Sequence, residues 1–309
     1  MLNNNSYRYL PEWREQKGTI LIFPKRGSDW NCCFDRAVKS FTHLIKAIAK
    51  YQKVYLILEE DITLDIPNVE IIKGVKTNDT WARDSLGLTV FHNEKRYILN
   101  YQFNGWGNKF DSSLDNKITE NLFQKNLFQD SKLINSPLII EGGAVETDGK
   151  VLLVTETSIL NINRGQKDSR KIIENSFRKY LGVSEIIWLK NSFLAGDDTD
   201  GHIDMLARFG ENGEILYFLD EVGDEIMESL PNRKYIKFPT PSFEDFPTTY
   251  LNFIFVNGGI LFPTYGVKED MEAMEIFRTT FPKRDIIPID SRTFIQQGGS
   301  LHCLTMQLY

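Results

Sequence analysis

Short apolar runs separated by tight polar turns recur along the chain. LGLTVF-HNEK-RYILN, GAVET-DG-KVLLVT, IDMLARF-GENG-EILYFL and LNFIFV-NGG-ILFPT each predict a strand, a turn and a second strand. Helical spacing follows several of these hairpins. In DSRKIIENSFRKYLG, Ile172, Ile173, Phe177 and Leu181 fall on one helical face, Asp168 stands near its start and Gly182 supplies a left-handed stop. EIIWLK then predicts a strand. Nearer the beginning, KGTILIFP and VYLIL predict strands on either side of a helix carrying Phe34, Val38, Phe41, Ile45 and Ile48, with Cys32 and Cys33 opening that helix as structural residues.

No low-complexity segment or linker divides the 309 residues, so residues 1–309 are expected to form a single α/β domain. The turns recur at intervals longer than the usual propeller periods but in their manner, which predicts a closed array of repeats. The last unit is split between the two ends of the sequence: KGTILIFP has no partner before it, and GGSLHCLTM none after it. Pairing these two would close the ring, leave neither as an open edge and put Cys303 on a strand.

Composition narrows the function classes. Charged residues make up 25% and hydrophobic ones 41%, and the formal net charge is −6. No cluster of Lys and Arg interleaved with aromatics appears, which argues against nucleic acid and anionic membrane and favours a small cationic partner. Three cysteines, two of them adjacent, do not make a disulfide framework and point to a reducing compartment. MLNNNSYRYLPEW lacks the basic and apolar regions of a secretory signal, and no apolar run is long enough to cross a bilayer, so the expected location is cytoplasmic.

Unusual polar residues concentrate in NDTWARDSLG, IIEGGAVETDG, GDDTDGHIDMLARF and the terminal GGSLHC, each at the mouth of a predicted hairpin. Asp200, His202 and Asp204 have a D-x-H-x-D spacing that, on a strand, would aim three ligands to one side, as in a binuclear manganese ureohydrolase. Taken together the four stretches suggest another chemistry. A guanidinium group is planar and cationic, and carboxylates grip it by parallel hydrogen bonds. An aromatic face could cover it, a thiolate could attack its carbon, and the clamped cation would itself favour the thiolate. A histidine is then needed to protonate departing ammonia and to activate water.

NDTWARD, EGG, TDGHIDMLARF and GGSLHC, in this order and with LPEW and LNINR, resemble the agmatine deiminase family of the guanidino-group-modifying superfamily. The resemblance runs from about Pro11 onward. It implies a five-bladed pseudo-symmetric α/β propeller of ββαβ-like repeats and a hydrolase without metal or organic cofactor. Cys303 would then be the nucleophile and His202 the general acid and base, while Asp84 and Asp204 hold the guanidinium nitrogens. Glu141 would bond the imidazole or the same group, Trp81 would line the pocket, and Asp198 would meet the distal ammonium or an outer nitrogen. His302 is read as structural. The implied reaction is hydrolysis of agmatine to N-carbamoylputrescine and ammonia, toward putrescine and other polyamines. A peptidyl-arginine or free-arginine deiminase, the metal-dependent ureohydrolase and a non-catalytic guanidino binder remain as alternatives, and a homodimer is left open.

Overall fold

The computed structural model describes residues 7–243 and 245–309; the MLNNNS of the N-terminal stretch read above lies outside them. The architecture is mixed α/β. Among the described residues five separate sheets of three or four strands form, none closed on itself. No helix among them is long and apolar enough to cross a membrane. Two compact units are built from interleaved stretches of chain: residues 7–11, 84–193 and 198–236 make one, and residues 12–83, 194–197 and 237–309 the other.

The first unit holds three sheets. Leu88–His92 and Lys95–Gln102 form an antiparallel hairpin whose turn residues Asn93 and Glu94 have φ of 49° and 60°, the left-handed pair that a two-residue hairpin turn requires. Arg8–Tyr9 extends one edge, and Ser131–Ile139 pairs in parallel on the other. Glu146–Thr147 and the wholly buried Val151–Thr155 make the next hairpin, joined in parallel by Glu185–Leu189. A central strand covered on both faces reads as a continuous apolar run, as VLLVT does. The helix before Glu185 starts from Ser169 rather than Asp168, and Gly182 ends it at φ 72°. Its buried stripe is Ile173, Phe177 and Leu181, while Ile172 is 62% exposed: a four-residue step keeps a single face, and Ile172 lies off it. The third sheet orders Ala207–Phe209, Glu214–Tyr217 and Lys234–Lys237, with helix Asp220–Ser229 between the last two.

In the second unit, Ile254–Val256 and Gly259–Thr264 form a hairpin, helix Glu269–Thr280 crosses over, and Asp285–Asp290 pairs in parallel. The other sheet joins both ends of the sequence. Thr305–Leu308 runs antiparallel to Gly18–Ile22, with Met306 opposite Ile20, and Lys53–Ile57 and Val69–Ile72 complete it. The expected pairing of the two incomplete ends is therefore present. Cys303, however, is not on the strand. It lies in the turn just before, where the Leu304 and Thr305 amides bond back to the Ser300 and His302 carbonyls and are unavailable to a ladder.

Candidate active site

Four of the residues singled out in the sequence meet in the first unit. Asp84 sits in the single-turn helix Ala82–Ser85. Glu141 precedes the tight turn Gly142–Ala144, and His202 precedes the similar turn Ile203–Met205 that carries Asp204. The Gly143 amide donates to Asp84 Oδ1 at 2.9 Å. A Cβ on Gly143 would stand 2.7 Å from His202 Nδ1, 2.9 Å from Asp84 Oδ1 and 3.0 Å from Asp204 Oδ2, so only glycine lets the backbone come this close.

Asp84 is 5% exposed, and Glu141, His202 and Asp204 are fully buried. His202 Nδ1 lies 3.7 Å from Asp84 Oδ2 and Nε2 lies 3.9 Å from Glu141 Oε2, too far for hydrogen bonds. Neither ring nitrogen has a hydrogen-bond partner among the described residues. The attraction is Coulombic, and it is strong. Burial alone would pull the imidazole pKa down; Asp84, Glu141 and Asp204 outweigh it and raise it to about 9. Burial pushes Asp84 up, aided by Asp204 and Glu141 against His202. Glu141 is also buried, yet His202 and Arg164 hold it below the usual carboxylate range.

Arg164, from LNINR, anchors the far side of this cluster. Its Nε donates to both Glu141 oxygens at 2.8 and 3.1 Å, Nη1 to Asp200 Oδ2 at 2.7 Å and Nη2 to the Thr199 carbonyl at 3.0 Å. Lys109 Nζ takes the other Asp200 oxygen at 2.7 Å and the Asp198 carbonyl at 2.6 Å. Asp200 thus faces two cations, and with Gly201 it has positive φ (67° and 86°), so the D-x-H-x-D residues do not share a strand face. The Asp198 side chain is exposed.

A second residue that the sequence reading passed over reaches Asp84. Trp106 Nε1 donates to Asp84 Oδ2 at 3.0 Å from a loop in which Gly105, Trp106, Gly107 and Asn108 all have positive φ, between 54° and 85°. Left-handed backbone costs a non-glycine residue on the order of 1–2 kcal/mol. Asn104 caps the turn by accepting from the Gly107 amide, and Asn104 and Asn108 both donate to the Asn163 carbonyl. Two glycines flanking an aromatic in NGWGN were the available signal.

In the second unit Cys303 is 5% exposed. Asn252, also missed from sequence, donates Nδ2 to Cys303 Sγ at 3.2 Å, while its Oδ1 accepts from the amides of His302 and Cys303 at 3.0 and 3.4 Å. Arg83 holds the same turn by donating its amide to the Cys303 carbonyl and its Nε to the His302 carbonyl. Trp81 anchors its Nε1 on Asp79, and a Cβ on Gly299 would meet the Trp81 ring at 2.4 Å and Cys303 Cβ at 3.2 Å. Gly299 therefore lets indole and thiol approach each other. His302 Nε2 pairs with Glu12 Oε2 at 2.9 Å, the structural place expected of it.

Comparison with known proteins bears on this arrangement. A family model described as Porphyromonas-type peptidyl-arginine deiminase matches residues 8–308. The chain belongs to this family. A Legionella pneumophila (strain Paris) relative, provisionally named an agmatine deiminase, is 31% identical over 97% of this chain and 94% of its own length. The agmatine deiminase of Pseudomonas savastanoi pv. phaseolicola is 29% identical over 96% and 94%. Among solved structures, a cysteine-to-serine form of C. jejuni agmatine deiminase with substrate bound superposes with a TM-score of 0.92 at 32% identity, covering 98% of this chain and 96% of that one.

Proposed function

We propose that this protein is an agmatine deiminase, a hydrolase that converts agmatine to N-carbamoylputrescine and ammonia through a covalent amidino-cysteine intermediate, in the cytoplasm and toward putrescine and other polyamines. The observation that carries this reading is the buried cluster of Asp84, Glu141 and Asp204 around His202 in a chain 32% identical to a substrate-bound agmatine deiminase. Three carboxylates against one imidazolium and Arg164 leave the cluster short of one positive charge, which a guanidinium supplies.

In this reading Asp84 and Asp204 accept hydrogen bonds from the guanidinium nitrogens, and Trp81 lines the pocket. Arg83, which holds the Cys303 turn, is followed in the chain by Asp84. Cys303 Sγ bonds to the amidine carbon. His202, protonated at neutral pH, gives its proton to the departing nitrogen, and the C–N bond breaks to release ammonia. The neutral imidazole then takes a proton from water, whose oxygen bonds to the same carbon. The C–S bond breaks with the sulfur leaving as thiolate, the remaining hydroxyl proton passes to the released ammonia or to solvent, and the product leaves with a carbonyl oxygen in place of the lost nitrogen. The Asn252 amide, donating to Cys303 Sγ, favours the thiolate form. Asp198 is the candidate for the distal ammonium.

Agmatine is favoured over free arginine because both cations beside the cluster, Arg164 and Lys109, are already committed to Glu141, Asp200 and the Asp198 carbonyl. Neither is left over for an α-carboxylate. The same reading makes the five sheets the blades of a five-bladed propeller. In its favour, four of them follow the order hairpin, helix, third strand, and the fifth joins both ends of the sequence. An ammonia-release assay on agmatine, free arginine and an arginyl peptide, with products identified by mass spectrometry, tests the assignment. Turnover of agmatine alone is expected, undiminished by a chelator. Preferential turnover of the peptide, or release of urea, overturns it.

A further inference from the structure

Cys32 and Cys33 play no part in the chemistry above, yet their surroundings are unusual. Both lie in the short turn Asp29–Cys33 that precedes helix Phe34–Ala49, rather than in the helix itself. Their Sγ atoms are 2.9 Å apart, with Cys32 exposed and Cys33 buried behind it. Burial and the neighbouring thiol push the Cys33 pKa up, which favours its protonated thiol. Gln297 Nε2 donates to Cys32 Sγ at 3.3 Å and to the Asp29 carbonyl at 3.1 Å. Gln297 directly precedes Gly298 and Gly299, the latter set against Trp81 and Cys303. Trp30, within the same turn, lies 6.2 Å from Trp81 between ring centroids.

Two sulfurs this close invite either a bond between them or a shared third atom. The Cα atoms of adjacent residues are about 3.8 Å apart, short of the roughly 4.4–6.8 Å that disulfides span, so a direct bridge is strained. A linear two-coordinate ion would need the sulfurs on opposite sides. A pyramidal trivalent centre takes both on one side, as they stand here. We infer that Cys32 and Cys33 form a dithiol site that chelates a trivalent arsenical, separate from Cys303 and able to disturb it through Gln297. In the binding step two As–S bonds replace the two bonds from arsenic to oxygen, the two thiol protons leave with that oxygen as water, and arsenic stays trivalent.

The test uses phenylarsine oxide as the probe. Intact-protein mass spectrometry of the full chain and of Cys303→Ser should show one adduct per chain in both, resistant to excess monothiol and removed by a dithiol. Cys32→Ser should show none under the same conditions. Absence of the adduct on Cys303→Ser, its ready loss to a monothiol, or its persistence on Cys32→Ser overturns the site. Ammonia release by the full chain should fall several-fold on treatment while treated Cys32→Ser keeps its rate; equal loss in the two overturns the link through Gln297. That rate measurement rests on the proposed deiminase activity, whereas the mass measurement stands without it.

Discussion

At the scale of single residues, the site separates into groups that bear charge and groups that aim them. Cys303→Ser keeps the size and the turn bonds of the side chain but replaces the thiol with a far weaker nucleophile. Turnover should vanish while agmatine still binds, measured by calorimetry beside the rate assay; substantial remaining turnover would remove the thiolate step. Asp84→Asn puts an amide donor where a group that only donates must sit, so kcat/KM should fall by about 10- to 100-fold, the worth of a charge-assisted hydrogen bond. Asn252→Asp keeps an oxygen for the His302 and Cys303 amides yet sets a negative charge against sulfur. The rate should drop with the fold intact, and its rising limb should move to higher pH because a like charge disfavours the thiolate.

His202 gives the pH dependence its sign. Its folded pKa is raised from 6.5 to about 9, so the stability it contributes is complete below pH 6.5 and is lost as pH rises through 9. The folded protein gives up the proton it donates only around pH 9. Urea unfolding midpoints should therefore decline between about pH 7 and 9, and kcat as pH approaches and passes about 9. A midpoint that rises over that range would contradict the carboxylate cluster. These titrating groups were legible in the sequence because Asp, Glu, His and Cys announce their chemistry. Asn252 was not, since one amide within an apolar strand-like run, YLNFIFV, carries no pattern of its own.

Among the elements, the hairpins were readable where alternation and turn residues agree, as in Asn93–Glu94. The loop from Asn104 to Lys109 was not. Four successive left-handed residues depend on contacts with Asn163, Asp84 and Asp200 that lie far along the chain, and no local periodicity encodes them. The tie between that loop and the His202 turn can be apportioned by mutation. Arg164→Met leaves Glu141 buried beside other carboxylates and should cost about 3–5 kcal/mol in chemical denaturation, the range for breaking a buried ion pair. Lys109→Met removes a partly solvated partner of Asp200, whose pairing is worth only about 0–1 kcal/mol. Equal losses in the two variants would show that Arg164 does not carry the cluster's charge balance.

Across the whole molecule, the pairing of KGTILIFP with the final strand could be anticipated because each apolar run lacked a neighbour to cover its edge. The two compact units could not. Each is assembled from three separated stretches, and the chain passes from one to the other even inside short elements, between Arg83 and Asp84 in helix Ala82–Ser85 and between Ile236 and Lys237 in strand Lys234–Lys237, which leaves no Pro-rich or Gly-rich linker to read. The pairing of the two ends of the sequence in one sheet has a measurable consequence. Met306 and Leu308 are each 2% exposed on the final strand. Burial of a side chain of this size contributes about 1.5–3 kcal/mol. A chain ending at Leu304 should thus lose on the order of 3–6 kcal/mol, against a typical total of about 5–15 kcal/mol. It also exposes the edge of Gly18–Ile22. The loss should appear as a large drop in the urea midpoint, and Met306→Ala alone should reproduce about 2–5 kcal/mol of it. Because Cys303 and the turn before it remain in such a truncation, an unchanged midpoint would mean that Thr305–Leu308 covers the sheet without holding it together.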